Sequence, residues 1–138
     1  MVFGGINYLA IAIATLASFG FGAIYYTALS KPWLAALGKS EDELRARASS
    51  KTPFIIGFVG ELIMAWVLAG AVGHLGPGQV TLRNGMISAF ILLAGFVITT
   101  MTINHGYEGA KRTRTLIDGA HWLGVMLIQG LVIGLFGV

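Results

Sequence analysis

Long apolar stretches alternate with short polar ones along this chain, and the apolar stretch recurs four times, over residues 6–29, 53–75, 82–105 and 116–138. Each is about the twenty residues that a helix needs to cross the hydrocarbon core of a bilayer. In three of them small side chains return at every fourth position. Span one carries Ala10, Ala14, Ser18 and Gly22, span two Gly57, Ala65, Ala69 and Gly73, and span four Gly130 and Gly134. Residues four apart share a face of an α-helix, and small ones let neighbouring helices approach closely in lipid. The pattern predicts an all-α integral membrane protein, a four-helix transmembrane bundle forming one domain over residues 1–138.

The polar stretches add detail. Pro32 is expected to stop the first helix, with Tyr25, Tyr26 and Trp33 closing it as interfacial aromatics. In the loop 30–52, Ser40-Glu41-Asp42-Glu43 reads as a capping box and predicts one short interfacial helix. Pro53 suits the first turn of span two. The run Gly73-His74-Leu75-Gly76-Pro77-Gly78 breaks the chain before span three and leaves His74 as a solvated turn residue. No internal repeat is evident.

Composition agrees with this class. Charged residues make up only 11% of the chain and mean hydropathy is +0.80, whereas a soluble domain carries about a quarter charged residues. The absence of cysteine excludes disulfides, thiolate metal sites, a cysteine nucleophile and a lipidated cysteine anchor. Residues 1–6 carry no basic charge and the first run is long, so no cleavable leader is expected.

The formal charge of +3 does not point to nucleic acid. Eight of the nine basic residues (Lys31, Lys39, Arg45, Arg47, Lys51, Lys111, Arg112 and Arg114) fall in loops 30–52 and 106–115, and only Arg83 lies at the other end. These loops suit anionic headgroups. By the positive-inside rule they are cytoplasmic and both termini are outside. So uneven a count also argues against insertion in both directions.

Glu61 is the one carboxylate in the small-residue lane of span two. At the bilayer centre it costs about 2.5–3.5 kcal/mol. Eleven Leu, Ile, Val and Phe residues in that span, each worth about −0.3 to −0.6 kcal/mol, outweigh it. Insertion therefore does not require a partner, and the lane turns the carboxyl towards a helix contact. At 1.5 Å per residue Glu61 lies roughly 12 Å in from the basic end. Asp118, Trp122, Val125 and Gln129 share one side of span four with His121 at its edge, and Asn104 follows the hydroxyl-rich end of span three.

Three readings of these groups compete. They satisfy one another and fix helix register, or they form a proton or cation site, or they hold a metal. Opposing influences of burial and a neighbouring imidazolium leave the charge state of Glu61 open. The metal spacing is His105 with Glu108 and Asp118 with His121, three apart on two helices. It supplies no full ligand set, so no metal and no cofactor are expected. Asp118 is equally accounted for as a first-turn acid favoured by the helix dipole, and Tyr25, Tyr26 and Trp122 as packing aromatics.

Several of these residues carry a resemblance. Asn7, Gly22, Tyr25-Tyr26, Trp33, Gly38 and Glu41-Asp42-Glu43, then Glu108-Gly109, Asp118-Gly119-Ala120-His121, Gly130 and Gly134 resemble the small four-span bacterial membrane proteins of a domain-of-unknown-function family (DUF number seventeen sixty-one). The likeness spans nearly the whole chain. It implies a four-helix membrane fold in the bacterial inner membrane and supplies no activity. Tyr25 stands where members often carry Trp, and Glu61 lies outside the motif.

The function expected is a small proton- or cation-linked transporter or channel, with Glu61 as binding group and Asn104, Asp118, His121 and Gln129 lining the cytoplasmic approach. The alternative is a non-catalytic structural or scaffold subunit. Triad, phosphate-loop and dinucleotide patterns are absent, so an enzyme is not expected. The bilayer is the evident partner, the small molecule or ion is unnamed, and the lanes, exceeding what one bundle needs, predict a homo-oligomer.

Overall fold

A computed structural model describes residues 4–137. Residues 1–3, part of the stretch read for a leader, and position 138, the end of the expected fourth span, lie outside the described residues. Among the described residues four helices are long and apolar enough to cross a membrane. Helix α1 covers Tyr8–Ala28 and α4 covers Thr52–Gly73. The third span joins α5 (Leu82–Leu92), a π-helical segment (Leu93–Ile98) and α6 (Thr99–Tyr107), and α7 covers Arg112–Phe136.

Local chemistry sets the boundaries. The Asn7 side chain caps α1 by accepting from the Ala10 amide at 3.1 Å, and Thr81 caps α5 through the Asn84 amide at 3.2 Å. Pro53 opens α4, where a missing N–H costs nothing. Pro32 behaves likewise and does not stop a helix. Helix α1 ends before it, and Pro32 stands in the first turn of a further helix, α2 (Ser30–Leu37).

Gly38, at φ +67°, closes α2 in the left-handed region. Helix α3 (Glu41–Ala48) then starts at the expected capping box, with Ser40 N–H donating to Glu43 Oε2 at 2.8 Å. The first loop thus holds two short helices where the sequence predicts one. Helix α7 begins four residues before the expected 116, because hydropathy locates the hydrocarbon and not the helical turn that carries Arg112 and Arg114.

The π segment is also outside what periodicity predicts. It inserts an extra residue into the helical ladder, and the Thr99 hydroxyl donates into the widened turn, to the Ala94 and Gly95 carbonyls at 2.8 and 2.9 Å.

Helix α7 is the centre of the bundle. It packs on α1 along one side and on α5 along the other, while α4 packs on α1 and closes the ring against α5 and α7. The α5 contact is nearly backbone to backbone. A Cβ on Gly130 would stand 2.5 Å from the Gly85 carbonyl oxygen, and one on Gly134 2.5 Å from that of Thr81.

Ala10, Ala14, Ser18 and Gly22 on α1 and Ala65 and Ala69 on α4 are buried as well. Gly57 and Gly73 are half-buried, Gly57 facing the Phe19 ring. The small-residue lanes are therefore taken up within one chain, and they are not the surplus surface that the prediction of a homo-oligomer rested on. Large apolar side chains such as Leu9, Ile24, Ile56, Ile91 and Phe96 face outward instead, as lipid requires.

Candidate functional site

Two polar groupings lie along the α1–α7 seam, one at mid-span and one at the end carrying most of the charge. Ser18 is the eleventh of the 21 residues of α1 and Glu61 the tenth of the 22 of α4, so both sit near the middle of their spans. Glu61 is 4% exposed, and Ser18 and Gln129 are fully buried. The Ser18 hydroxyl lies 2.5 Å from Glu61 Oε2. From α7, Gln129 Nε2 donates to Ser18 Oγ at 3.1 Å and to the Glu61 backbone oxygen at 3.0 Å. Three spans thereby meet at Ser18 and Glu61, whose carboxyl lies inward among the small residues around it. Gln129 Oε1 is buried and has no hydrogen-bond partner among the described residues.

The second grouping is built around Asp118. Its Oδ1 accepts from Tyr26 Oη at 2.7 Å and from Trp33 Nε1 at 3.2 Å. Its Oδ2 lies 3.9 Å from His105 Nε2 and 3.7 Å from Arg114 Nε. Tyr25 Oη donates to the Ile117 carbonyl at 2.7 Å, His105 Nδ1 pairs with Thr115 Oγ1 at 2.9 Å, and Arg114 bonds Glu108 at 2.9 Å. Asp118 is the seventh residue of α7, beyond the first turn. Its position follows from four side-chain partners and not from the helix dipole.

His121 connects the two levels. It is 6% exposed and lies among the rings of Tyr26, Trp122, Tyr25 and Phe21, with centroids 4.7, 5.0, 5.7 and 6.1 Å away. Its Nδ1 has no partner among the described residues. Its Nε2 lies over Gly22, where a Cβ would come within 2.8 Å, so glycine at 22 is what admits the ring. Ser18 is one helical turn further along α1, about 6 Å by rise per residue. Polar groups thus run from Arg114 through Asp118 and His121 to Ser18 and Glu61.

From the opposite end a cleft of about 380 Å³, lined by Asn7, Ala10, Ala69, Gly73, His74 and Ile133 among others, enters the bundle. It reaches Ala69, two turns or about 12 Å from Glu61. His74 itself is exposed. Between lie the packed side chains of Ile11, Ala14, Ala65 and Leu68.

Not every expected residue joins the site. Asn104 is exposed, in an open groove of about 460 Å³ with Phe96, Thr100, Met101, His105 and Trp122, and does not approach the Glu61 carboxyl. On α6 His105 is the buried residue and Asn104 the exposed one, a rotation that the hydroxyl-rich composition of this stretch does not specify. His105, Glu108, Asp118 and His121 do not converge as metal ligands either. Glu108 is exposed and held by Arg114, His121 sits in its ring of aromatics, and no group of three such residues among those described is placed to share an ion.

Conversely, spacing alone gives Ser18 only a packing role and leaves Tyr25, Tyr26 and Trp33 as interface aromatics, with no pointer to Asp118. The available pointer was the motif itself. Gly22, Tyr25-Tyr26, Trp33, Asp118 and His121, far apart in sequence, assemble into one cluster.

A family model described as "Protein of unknown function (DUF1761)" matches residues 9–134. The chain belongs to this family. No curated protein and no solved structure matches it.

Proposed function

We propose that this DUF1761 protein is a small proton- or cation-linked membrane transporter whose binding group is Glu61. One observation carries the reading. A carboxyl at mid-span is buried and bonded by a hydroxyl from α1, and an amide from α7 holds that hydroxyl and the Glu61 backbone carbonyl. Ionisable groups within membrane spans mark ion and proton pathways by default. The seam of Asp118, His121 and Ser18 supports an approach from the charged end, and the 380 Å³ cleft one from the other end. The packed layer around Leu68 separates the two, as an alternating mechanism needs.

Asp118, His121 and Gln129 line that path. By charge bias, loops 30–52 and 106–115 are cytoplasmic and the termini lie outside the bacterial inner membrane. The chain is non-enzymatic in this reading, needs no cofactor, and works as a homo-oligomer that associates through the third span, whose window is only 11% buried.

The test is flux in liposomes with a trapped pH dye. Wild-type protein should carry acid equivalents in response to a pH or cation gradient, and Glu61→Gln should abolish the flux. Equal flux from both, or none from either, rejects the reading.

The closed layer between cleft and carboxyl favours a second reading, a non-conducting scaffold subunit. Under it wild-type liposomes carry no flux and Glu61→Gln leaves the protein's role intact.

A further inference from the structure

The hydrogen bonds around Glu61 can be counted donor by donor. The Glu61 backbone oxygen only accepts, so the nitrogen of the Gln129 amide faces it, and its oxygen faces away. The second hydrogen of that nitrogen goes to Ser18 Oγ. Ser18 then has one hydrogen to place and two acceptors within reach, Glu61 Oε2 at 2.5 Å and the Thr15 carbonyl at 3.2 Å.

If Glu61 is ionised, the hydroxyl donates to the carboxylate. If Glu61 is protonated, the acid donates to Ser18 Oγ and the hydroxyl hydrogen turns to the Thr15 carbonyl. Both states are fully bonded at Ser18. Passing between them rotates one hydroxyl hydrogen and moves no heavier atom.

A metal cation meets the opposite conditions. Hard cations are held by shells of about six oxygens. Here the two amide hydrogens of Gln129 occupy lone pairs on Ser18 Oγ and the Glu61 carbonyl that an ion would need, and they turn the positive ends of their dipoles towards it. Among the described residues no group of three His, Asp or Glu side chains is placed to hold a metal ion.

The titratable groups nearest to Glu61 come from other levels. Helix α1 brings Tyr25 and Tyr26, and α7 brings His121 and then Asp118 with Arg114. Helix α6 brings His105, which faces Asp118, and Glu108, which faces Arg114. Helix α5 and the π segment carry only Arg83, at the far end, and α4 itself is flanked by Lys51 and His74 at its two ends.

We infer that the Glu61 site takes a proton in preference to any metal cation, with Ser18 as the hydrogen-bond switch that serves both states. This rests on the reading of Glu61 as the binding group and specifies its ligand. The proton comes from and returns to the medium, and no other bond is made or broken.

Infrared difference spectroscopy of the full chain reconstituted in lipid tests it. The carbonyl stretch of a protonated carboxyl should titrate with pH and be missing in Glu61→Gln. Its midpoint should agree within about twofold in proton concentration between N-methylglucamine, sodium and potassium chloride at equal ionic strength. A competing cation would instead move the apparent proton affinity about tenfold for each decade above its dissociation constant. Ser18→Ala should shift both the band and its midpoint, and Ser18→Thr should restore them.

A sodium- or potassium-specific displacement overturns the inference while leaving a cation-linked transporter intact. A salt-insensitive titration without liposome flux upholds the proton site and removes the transporter. A Ser18→Ala spectrum identical to wild type overturns the switch, and no Glu61-dependent band at any pH overturns the site.

Discussion

Replacing Asp118 by alanine tests the charged-end cluster most directly, because that one carboxylate holds residues from three helical elements. Its Oδ1 takes hydrogen bonds from Tyr26 on α1 and Trp33 on α2, at 2.7 and 3.2 Å. Interhelical side-chain bonds in membrane proteins are worth about 0.6 kcal/mol on average and about 1.7 at most. Two such bonds lost together put Asp118→Ala at about 1–3 kcal/mol less stable. Asp118→Asn keeps a carbonyl acceptor for the same two donors and forfeits charge assistance, about half the strength of each bond. Its loss should be about 0.5–1.5 kcal/mol.

The assay is reversible denaturation in mild detergent, followed by circular dichroism. A cycle with Tyr26→Phe isolates the pair, and its coupling should be about 0.5–1.5 kcal/mol. Two results refute the reasoning: Asp118→Ala unfolding together with wild type, or a coupling of zero to Tyr26. In either case the cluster would be a consequence of helix packing and not a cause of it.

Two further outcomes follow from helix packing and capping. Gly130→Ala sets a Cβ 2.5 Å from the Gly85 carbonyl oxygen and 2.7 Å from Ala89 Cβ, so α5 must shift. We expect a loss of about 1–3 kcal/mol from overpacking, against a change of under about 1 kcal/mol, in the stabilising direction, for Gly60→Ala, which meets nothing within 4 Å. Equal denaturation of the two variants would disprove the backbone contact. On α3, the Ser40 backbone N–H holds the Glu43 carboxyl below its ordinary value of 4.5. A carboxyl lowered on folding contributes above the unfolded value and loses that contribution as pH falls through the folded one. The protection of the α3 amides, taken as the intrinsic exchange rate divided by the observed one at each pH, should therefore fall on acidification below the ordinary carboxylate range, and protection that stays flat there would contradict the cap.

The sequence by itself determined the class of protein, the four spans, the capping box, the first-turn proline of α4 and the inward turn of Glu61. These are properties of runs and lanes along single helices, and hydropathy and a period near four report them directly. It did not determine which lanes face which. The small residues of α1, α4 and α7 read equally as surfaces between copies, and only packing assigned them to one chain, since α7 needs close neighbours on two sides. Pro32 looked like an end and is a beginning, because whether a proline stops one helix or opens another depends on the turn before it.

Tertiary structure alone joined Ser18 to Glu61 across 43 positions and Gln129 to Ser18 across 111. It also set Tyr26 and Trp33 on Asp118. Such pairs follow from the antiparallel register of α1 on α7 and from the packing of α2 on α7. Spacing within one helix carries no information about either, because a hydrogen bond between spans is fixed by the depth and rotation of two helices together.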